Sequence, residues 1–437
     1  MARPATGAAL CVDGTSWLTR EALAAAVAAA LPDDPGGTRL AGGVAVPAAE
    51  PLGTLTTLLA VRALPGAVPV VVDPDLDPAA VGHLVALADR LPASEPLLVV
   101  QTSGTSSRPR AVVRTVASWD DSLDAFTGVA GLARDDVVWA PGGLSSTLTL
   151  FAAWHALATG LPLLATGRWR GVVASGPATA AATVVHCVPA VLADVLDAHD
   201  AGLVPALRTA VVAGAALPRR LRERTRAAGV RLVEYYGAAE LSFVAVDPDG
   251  TGLRPFPGAD VALHDGVVRV RSPYVARGYL DPDDAGPFTR DADDWCSVGD
   301  RGRTVGDRLE VTGRGGEAVT VGGRTVVAAD VEAALRDVPG VAELVCVGEP
   351  HARLGERVVL AVEIEPGSDP VPALREAARR ALPPAARPVR YVVLAELPRT
   401  AGGKVARAAL REVVTRAGRG GGRAAQRRVG APRTPAR

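Results

Sequence analysis

Lysine is almost missing from this sequence. Of 47 Lys and Arg residues, Lys404 is the one lysine, and the remaining 46 are arginine. The bias is that of a GC-rich genome, in which arginine serves wherever a positive charge is enough. A lysine that survives it is either a chance surface residue or a place where a compact ammonium on a flexible stem does what a wide planar guanidinium cannot, and its neighbourhood decides between them. Net charge is also missing, because 47 basic residues face 47 acidic ones, and the balance excludes a global field drawing in nucleic acid or anionic membrane. Cysteine is sparse, with four residues at Cys11, Cys187, Cys296 and Cys346. They have neither the paired spacing of a zinc site nor the density of a disulfide scaffold, and are expected to be free, buried thiols. No run of about 18 apolar residues could span a bilayer. The opening MARPATGAALCVDG lacks the apolar core of a signal peptide, so the expected location is cytoplasmic.

What is present is a chain of 437 residues, 48% apolar, with 47 glycines and 35 prolines. That length exceeds what one hydrophobic core supports, so two or more domains are expected. From residue 20 to about 310, helical stretches such as EALAAAVAAAL and LGTLTTLLAVRAL alternate with apolar, β-branched runs. VPVVVD, PLLVVQ, DVVWA, RTAVVAG and VRLVEYY read as buried strands. The alternation predicts an α/β fold, a large N-terminal domain of mainly parallel sheets covered by helices. Such sheets place ligands at the carboxyl ends of their strands. After about residue 313 the texture becomes that of a small α+β module: a glycine-rich hairpin in RGGEAVTVGGRTV, helix AADVEAALRDV, strands VAELVCVGEP and RVVLAVEIEP, and helix PALREAARRAL. The expected division is a core over 1–313, a small mobile domain over 314–415, and a disordered tail over 416–437. That tail carries seven arginines and no acid.

Four short segments carry chemistry. Thr102-Ser103-Gly104-Thr105-Ser106-Ser107-Arg108-Pro109-Arg110 follows the strand PLLVVQ, where hydroxyls and flexible backbone can wrap a polyphosphate. It is not a Walker loop, since no Gly-Lys-Ser/Thr follows at the required spacing. Glu234-Tyr235-Tyr236-Gly237-Ala238-Ala239-Glu240 ends another strand. It offers an aromatic to stack on a base, a glycine for close backbone approach, and a carboxylate that can hold Mg²⁺ against phosphate oxygens. Asp300 in Trp295-Cys296-Ser297-Val298-Gly299-Asp300 can accept both ribose hydroxyls, with Arg314 nearby to brace them. Leu397-Pro398-Arg399-Thr400-Ala401-Gly402-Gly403-Lys404 presents the lone lysine on a turn before the helix VARAALREV, where an ammonium could meet developing negative charge.

In this order the four segments resemble the adenylate-forming (AMP-binding) superfamily of acyl-CoA synthetases, luciferase-like ligases and peptide-synthetase adenylation domains. The family patterns are TSGTTGxPKG, YGxTE, a TGD followed by GR, and PRTxxGK. The resemblance runs from about residue 40 to 412. Phrases such as VRSPYVARGYL and VGGRTVVAADVEAAL look most like compact acyl-CoA synthetases, among them the o-succinylbenzoate-CoA ligases and the fatty and aryl acid-CoA ligases.

The resemblance implies activation of a carboxylic acid by ATP and Mg²⁺ as an acyl-adenylate, followed by transfer to the thiol of coenzyme A. Residues 102 to 110 would hold the phosphates, with Arg110 supplying charge. Tyr236 and Gly237 would meet adenine, with Gly214 and Ala215 lining the ring; Glu240 would carry Mg²⁺, Asp300 and Arg314 would bind ribose, and Lys404 would bridge carboxylate and phosphate. The family's hinge would fall at Gly316, where a side chain, often Asp or Lys, is expected. Departures from the pattern are Ser107 for glycine, Arg110 for lysine, and Ala239 for a threonine. Alternatives left open are transfer to a carrier-protein thiol or an amine, and a degenerate nucleotide-binding protein. By the same similarity the acid pocket is lined by 141–151, 186–190, 213–217 and 237–243. Apart from Glu240, the one potentially charged side chain there is His186. An apolar pocket without a fixed cation points to an uncharged aliphatic or aryl monoacid.

Overall fold

The computed structural model describes residues 7–30, 42–92, 94–102, 110–171, 176–284, 286–314, 318–321, 324–351, 353–400 and 403–419. Ser103 through Pro109, the hinge residue Gly316 and the tail from residue 420 lie outside the described residues, and of Arg314 only the backbone is described.

The architecture is α/β with a large N-terminal body and a smaller C-terminal one. A nine-stranded sheet forms the centre. Its middle strands Val184–Cys187, Thr209–Ala213 and Arg231–Ala238 run parallel, Val211 lying beside His186 on one side and Val233 on the other. VVHC and TAVVA are buried at every position, as strands covered on both faces require. A second sheet of five strands contains Leu97–Gln101 paired antiparallel with Ala111–Thr115, Val99 opposite Val113. Helices Pro51–Arg62, Thr147–Thr159 and Pro189–Asp200 bury apolar faces against these sheets. The helices and strands anticipated from apolar periodicity are present at the places read.

One sheet departs from the expectation of mainly parallel strands. Six strands between residues 260 and 314 form a sheet in which every pairing is antiparallel, while Gly278–Tyr279 joins the five-stranded sheet instead. Its first hairpin turns at Asp265-Gly266, with φ of 50° and 73°, the backbone that a two-residue Asp-Gly turn takes. The flanking VVRVR alternates as a half-exposed strand should. The signal was therefore local and lay outside the strand-helix alternation.

Residues 318–419 make a separate five-stranded sheet with helices. The glycine-rich hairpin pairs Ala318–Val321 with Arg324–Val327, and Arg390–Leu394 adds a parallel strand beside Gly355–Ile364. One face packs Val331, Leu335, Leu360 and Leu374, and the other packs Val359, Leu410 and Val414. The last helix runs from Arg407 to Arg419, so residues 416–419 continue it rather than open the tail. This unit sits against the helix Arg219–Ala227. Arg220 Nη2 donates to the Ala342 carbonyl at 2.7 Å, Arg220 also pairs with Glu365, and the Arg219 amide donates to Asp337 Oδ1 at 3.1 Å.

Candidate active site

The site lies where the carboxyl ends of the parallel strands meet the C-terminal unit. Strand Thr209–Ala213 ends at Gly214, whose φ of +90° only glycine adopts readily. A Cβ on Gly214 would lie 2.5 Å from Lys404 Cε and 3.2 Å from its Nζ. The lone lysine therefore packs directly on the strand end that the sequence assigned to adenine. Its turn is built for that reach: the Thr400 amide donates to the Lys404 carbonyl at 2.7 Å, and the Gly403 amide donates to the Thr400 carbonyl at 2.9 Å. Gly403, at φ +79°, passes over Val188 and Val191 at the start of the helix Pro189–Asp200. Arg399 anchors the turn from behind, donating to Glu343 at 2.8 Å and to Glu363 at 3.0 Å.

Strand Arg231–Ala238 brings the second segment beside it. The ladder with Ser242–Asp247 slips between Tyr236 and Gly237, and a Cβ on Gly237 would fall 1.9 Å from the Ser242 carbonyl. Gly237 is thus required by backbone approach within the protein. Tyr236 Oη donates to Asp300 Oδ2 at 2.8 Å, so the residues assigned to adenine and ribose meet. Asp300 is buried and lies directly opposite Arg314 in the antiparallel ladder.

Glu240 is buried, 4% exposed, and its Oε1 accepts from Tyr279 Oη at 2.8 Å. Burial and the Glu240 charge push the Tyr279 phenol up, holding it protonated as the donor. Arg110 stands on the other side of Tyr279, its guanidinium 5.9 Å from the ring centre, and its Nε donates to Asp284 Oδ1 at 2.9 Å. The neck of the phosphate segment closes through the Thr102 amide to the Arg110 carbonyl, 2.8 Å, and the Arg110 amide to Thr102 Oγ1, 3.0 Å. Among the described residues no group of three or more His, Cys, Asp or Glu side chains is arranged to hold a metal. A cation here would arrive with the triphosphate and take Glu240 as a protein ligand, which suits Mg²⁺.

A cavity of about 60 Å³ lies between Lys404 and the strand ends that carry Gly214 and Gly237. Lys404, Gly214 and Gly237 line it, with Trp119, Phe151, Tyr235 and Phe243 as aromatic wall. His186 does not supply charge. It is fully buried, its Nε2 lies 3.0 Å from Tyr235 Oη, and burial lowers its pKa to about 3. His155 behind it is lowered to about 4 by the same cause. The premise of a pocket without a fixed cation nevertheless fails, because Arg114 also lines the cavity. Arg114 sits in the strand Ala111–Thr115, outside the segments scanned for the pocket, and is 1% exposed. Its guanidinium donates to Ser118 Oγ, the Ala239 carbonyl, Ser242 Oγ and the Tyr274 carbonyl at 2.8–3.1 Å. Burial lowers its pKa to about 9, with the Glu240 charge opposing the shift, so it stays cationic at neutral pH. An arginine interrupting the apolar run AVVRT was the one sequence signal available. Tyr279 and Asp284 were missed as well, and Arg399, though inside the fourth segment, was given no role, since these roles exist only through partners distant in sequence.

Residues 85–280 match the AMP-binding enzyme family, and residues 330–404 match the AMP-binding enzyme C-terminal domain. A probable 2-succinylbenzoate-CoA ligase of Mycobacterium tuberculosis is 30% identical over 340 residues, 72% of this chain and 83% of that protein. The chain belongs to the AMP-binding enzyme family. A putative long chain fatty acid-CoA ligase, VraA, of Staphylococcus haemolyticus is 24% identical over 74% of this chain and 71% of that protein. Among solved structures, an E. coli MenE variant with bound OSB-AMS superposes with a TM-score of 0.78 at 23% identity, covering 94% of this chain and 96% of that one. The amide bond synthetase McbA from Marinactinospora thermotolerans superposes at 0.76 and 23%, covering 93% and 97%. At such identities the superpositions establish a shared fold. All four cysteines of this AMP-binding enzyme are buried. No helix among the described residues is long and apolar enough to cross a membrane.

Proposed function

We propose that this chain is an AMP-forming acid-thiol ligase that activates a carboxylic acid with ATP and passes the acyl group to coenzyme A. The observation that carries the reading is Lys404 packed on Gly214 in a cavity that also contains the Gly237–Ala239 backbone. An ammonium at that point can meet both a carboxylate and an α-phosphate. The carboxylate oxygen attacks the α-phosphorus, the bond to the bridging oxygen breaks, and pyrophosphate leaves. The thiol sulfur then forms a bond to the acyl carbon, AMP departs with the electron pair, and the thiol proton goes to solvent. Catalysis rests on positioning and on stabilising charge as it develops.

In this reading Thr102 through Ser106 and Arg110 hold the phosphates, while Gly214, Ala215, Tyr236 and Gly237 surround adenine. Asp300 and Arg314 would hold ribose, and Glu240 would take the Mg²⁺ that accompanies the triphosphate. Glu240 Oε2 has no hydrogen bond among the described residues, which leaves it available for that role. Residues 1–313 act as the binding core, and residues 314–415 as the unit that brings Lys404 in and withdraws it. Coenzyme A is preferred as acceptor over a carrier protein or an amine because the curated relatives just described are named CoA ligases. A degenerate binding protein is disfavoured because the lysine and its Arg399 anchor are both in place.

The test is pyrophosphate release with ATP, Mg²⁺ and a panel of aliphatic, aryl and dicarboxylic acids, followed by a search for acyl-CoA. Acid-dependent release together with a CoA thioester is the expected result. Release without any thioester would move the reading to another acceptor, and no release with any acid would defeat it.

A further inference from the structure

Arg114 is a fully buried guanidinium whose four hydrogen bonds all go to neutral oxygens. No carboxylate forms an ion pair with it among the described residues, and Glu240 is the one carboxylate whose charge it feels. A cation removed from water needs a counter-charge, since neutral acceptors alone do not replace its hydration. On the ligase reading, on which this inference rests, Glu240 is committed to Mg²⁺ and the triphosphate. The loaded enzyme would then hold Arg114 without compensation unless the cavity beside it contains an anion.

The cavity is shaped to hold one. Of the five guanidinium hydrogens, one on Nη1 has no acceptor among the described residues. Ser242, whose Oγ accepts from Arg114, also lines the cavity and takes φ +57°. That left-handed backbone is unusual for a residue with a Cβ, and such strain collects where a side chain must be aimed. The ring of Trp119 lies under the guanidinium, centre to Cζ 4.9 Å, and closes the apolar side. Lys404 lines the same cavity and serves the reacting carboxylate, so Arg114 is a second cation for a second group. The enclosed part of the cavity, about 60 Å³ against the roughly 150 Å³ that accommodates benzene, favours a short acid.

We propose that Arg114, with Ser242, is the specificity element of the acid pocket and receives a second carboxylate, making the substrate a compact dicarboxylic acid. This replaces the uncharged monoacid expected from the loop segments.

The experiment compares kcat/KM for malonate, succinate and glutarate with that for propionate, butyrate and valerate, in the wild type, Arg114→Met and Arg114→Lys. The expected wild-type preference for the matched diacid is about 10²-fold, the scale for a buried charge pair. Arg114→Met should reduce that ratio to near unity with the half-saturation for ATP changed less than about 3-fold, and Arg114→Lys should keep part of it. A wild-type preference for monoacids overturns the proposal without any variant. Equal loss of both acid classes in Arg114→Met, or a rise in the ATP requirement instead, overturns it in favour of a residue that merely positions the 237–242 segment. Turnover of monoacids with no diacid activity sinks this inference alone, whereas silence with every acid sinks the ligase reading and this one together.

Discussion

Gly214→Ala is the sharpest probe of the lysine site. The substitution places a methyl group 2.5 Å from Lys404 Cε and 3.4 Å from Val188 Cγ1, at a φ of +90°. Neither strain can relax locally, because the strand Thr209–Ala213 is buried on both faces and hydrogen bonded to both neighbours. A positive φ costs an alanine about 1–2 kcal/mol, and the contact forces the lysine out of its place. Losing one charge-stabilising donor from a transition state costs on the order of 10²–10³-fold, and that is the loss expected in acid-dependent ATP–pyrophosphate exchange. On the reading that the lysine serves only the first half-reaction, conversion of supplied acyl-adenylate to thioester should stay within a few-fold. A double variant decides the cause. If the methyl acts by displacing the ammonium, Gly214→Ala adds little once Lys404→Ala is present, and the coupling approaches the full single effect. Exchange at the wild-type rate in Gly214→Ala, or additive losses in the pair, would refute the reasoning and leave Gly214 as a contact to adenine only.

On the reading that Asp300 holds ribose, Asp300→Ala should raise the half-saturation for ATP by about 10-fold with little change in maximal rate, because such contacts are equally present before and during reaction; paired ATP titrations read it, and an unchanged half-saturation would make Asp300 a turn residue. His155 and His186 are held neutral by burial, with pKa values lowered to about 4 and about 3. Both folded values lie below the unfolded one, so the unfolded chain binds more protons and stability falls as pH drops below about 6.5. The expected loss by about pH 5 is about 2 kcal/mol for each histidine, read from urea unfolding, and His155→Phe should remove about half of the slope; a pH-independent midpoint would contradict the buried, neutral assignment.

Much of the fold was legible because it is written in local periodicity. Runs such as TAVVA and LLVVQ are buried on both faces and cannot be anything but strand interior, and the helices between them carry apolar faces of matching length. The antiparallel sheet over 260–314 was less visible because its strands are short and half-exposed, and its register depends on turns such as Asp265-Gly266. The site residues that were legible sit in glycine-rich loops after strands, where backbone demands leave a pattern. Arg114 had no such pattern. Its partners at Ala239, Ser242 and Tyr274 lie 125, 128 and 160 residues away, so its place beneath the 237–242 segment exists only once two sheets have been brought together. Tyr279 reaches Glu240 in the same way, across 39 residues.

The lone lysine shows how composition and geometry converge on one position. A chain that uses arginine 46 times has accepted the guanidinium wherever a cation is sufficient. That includes Arg399, whose planar fork is used in full by two carboxylates at 2.8 and 3.0 Å, and Arg114, which is braced by four oxygens. Both are places where several fixed donors in one plane are an advantage. Position 404 is the opposite case. The stem runs past a strand end so closely that not even a methyl group fits there, and on the ligase reading the ammonium must be able to turn toward charge that appears only during reaction. A wide, flat group cannot pass that gap, and a rigid fork cannot follow a moving charge. The retention of lysine at one site in 437 residues is therefore explained by the same close approach that requires glycine at position 214, and the two residues are one structural requirement expressed 190 positions apart.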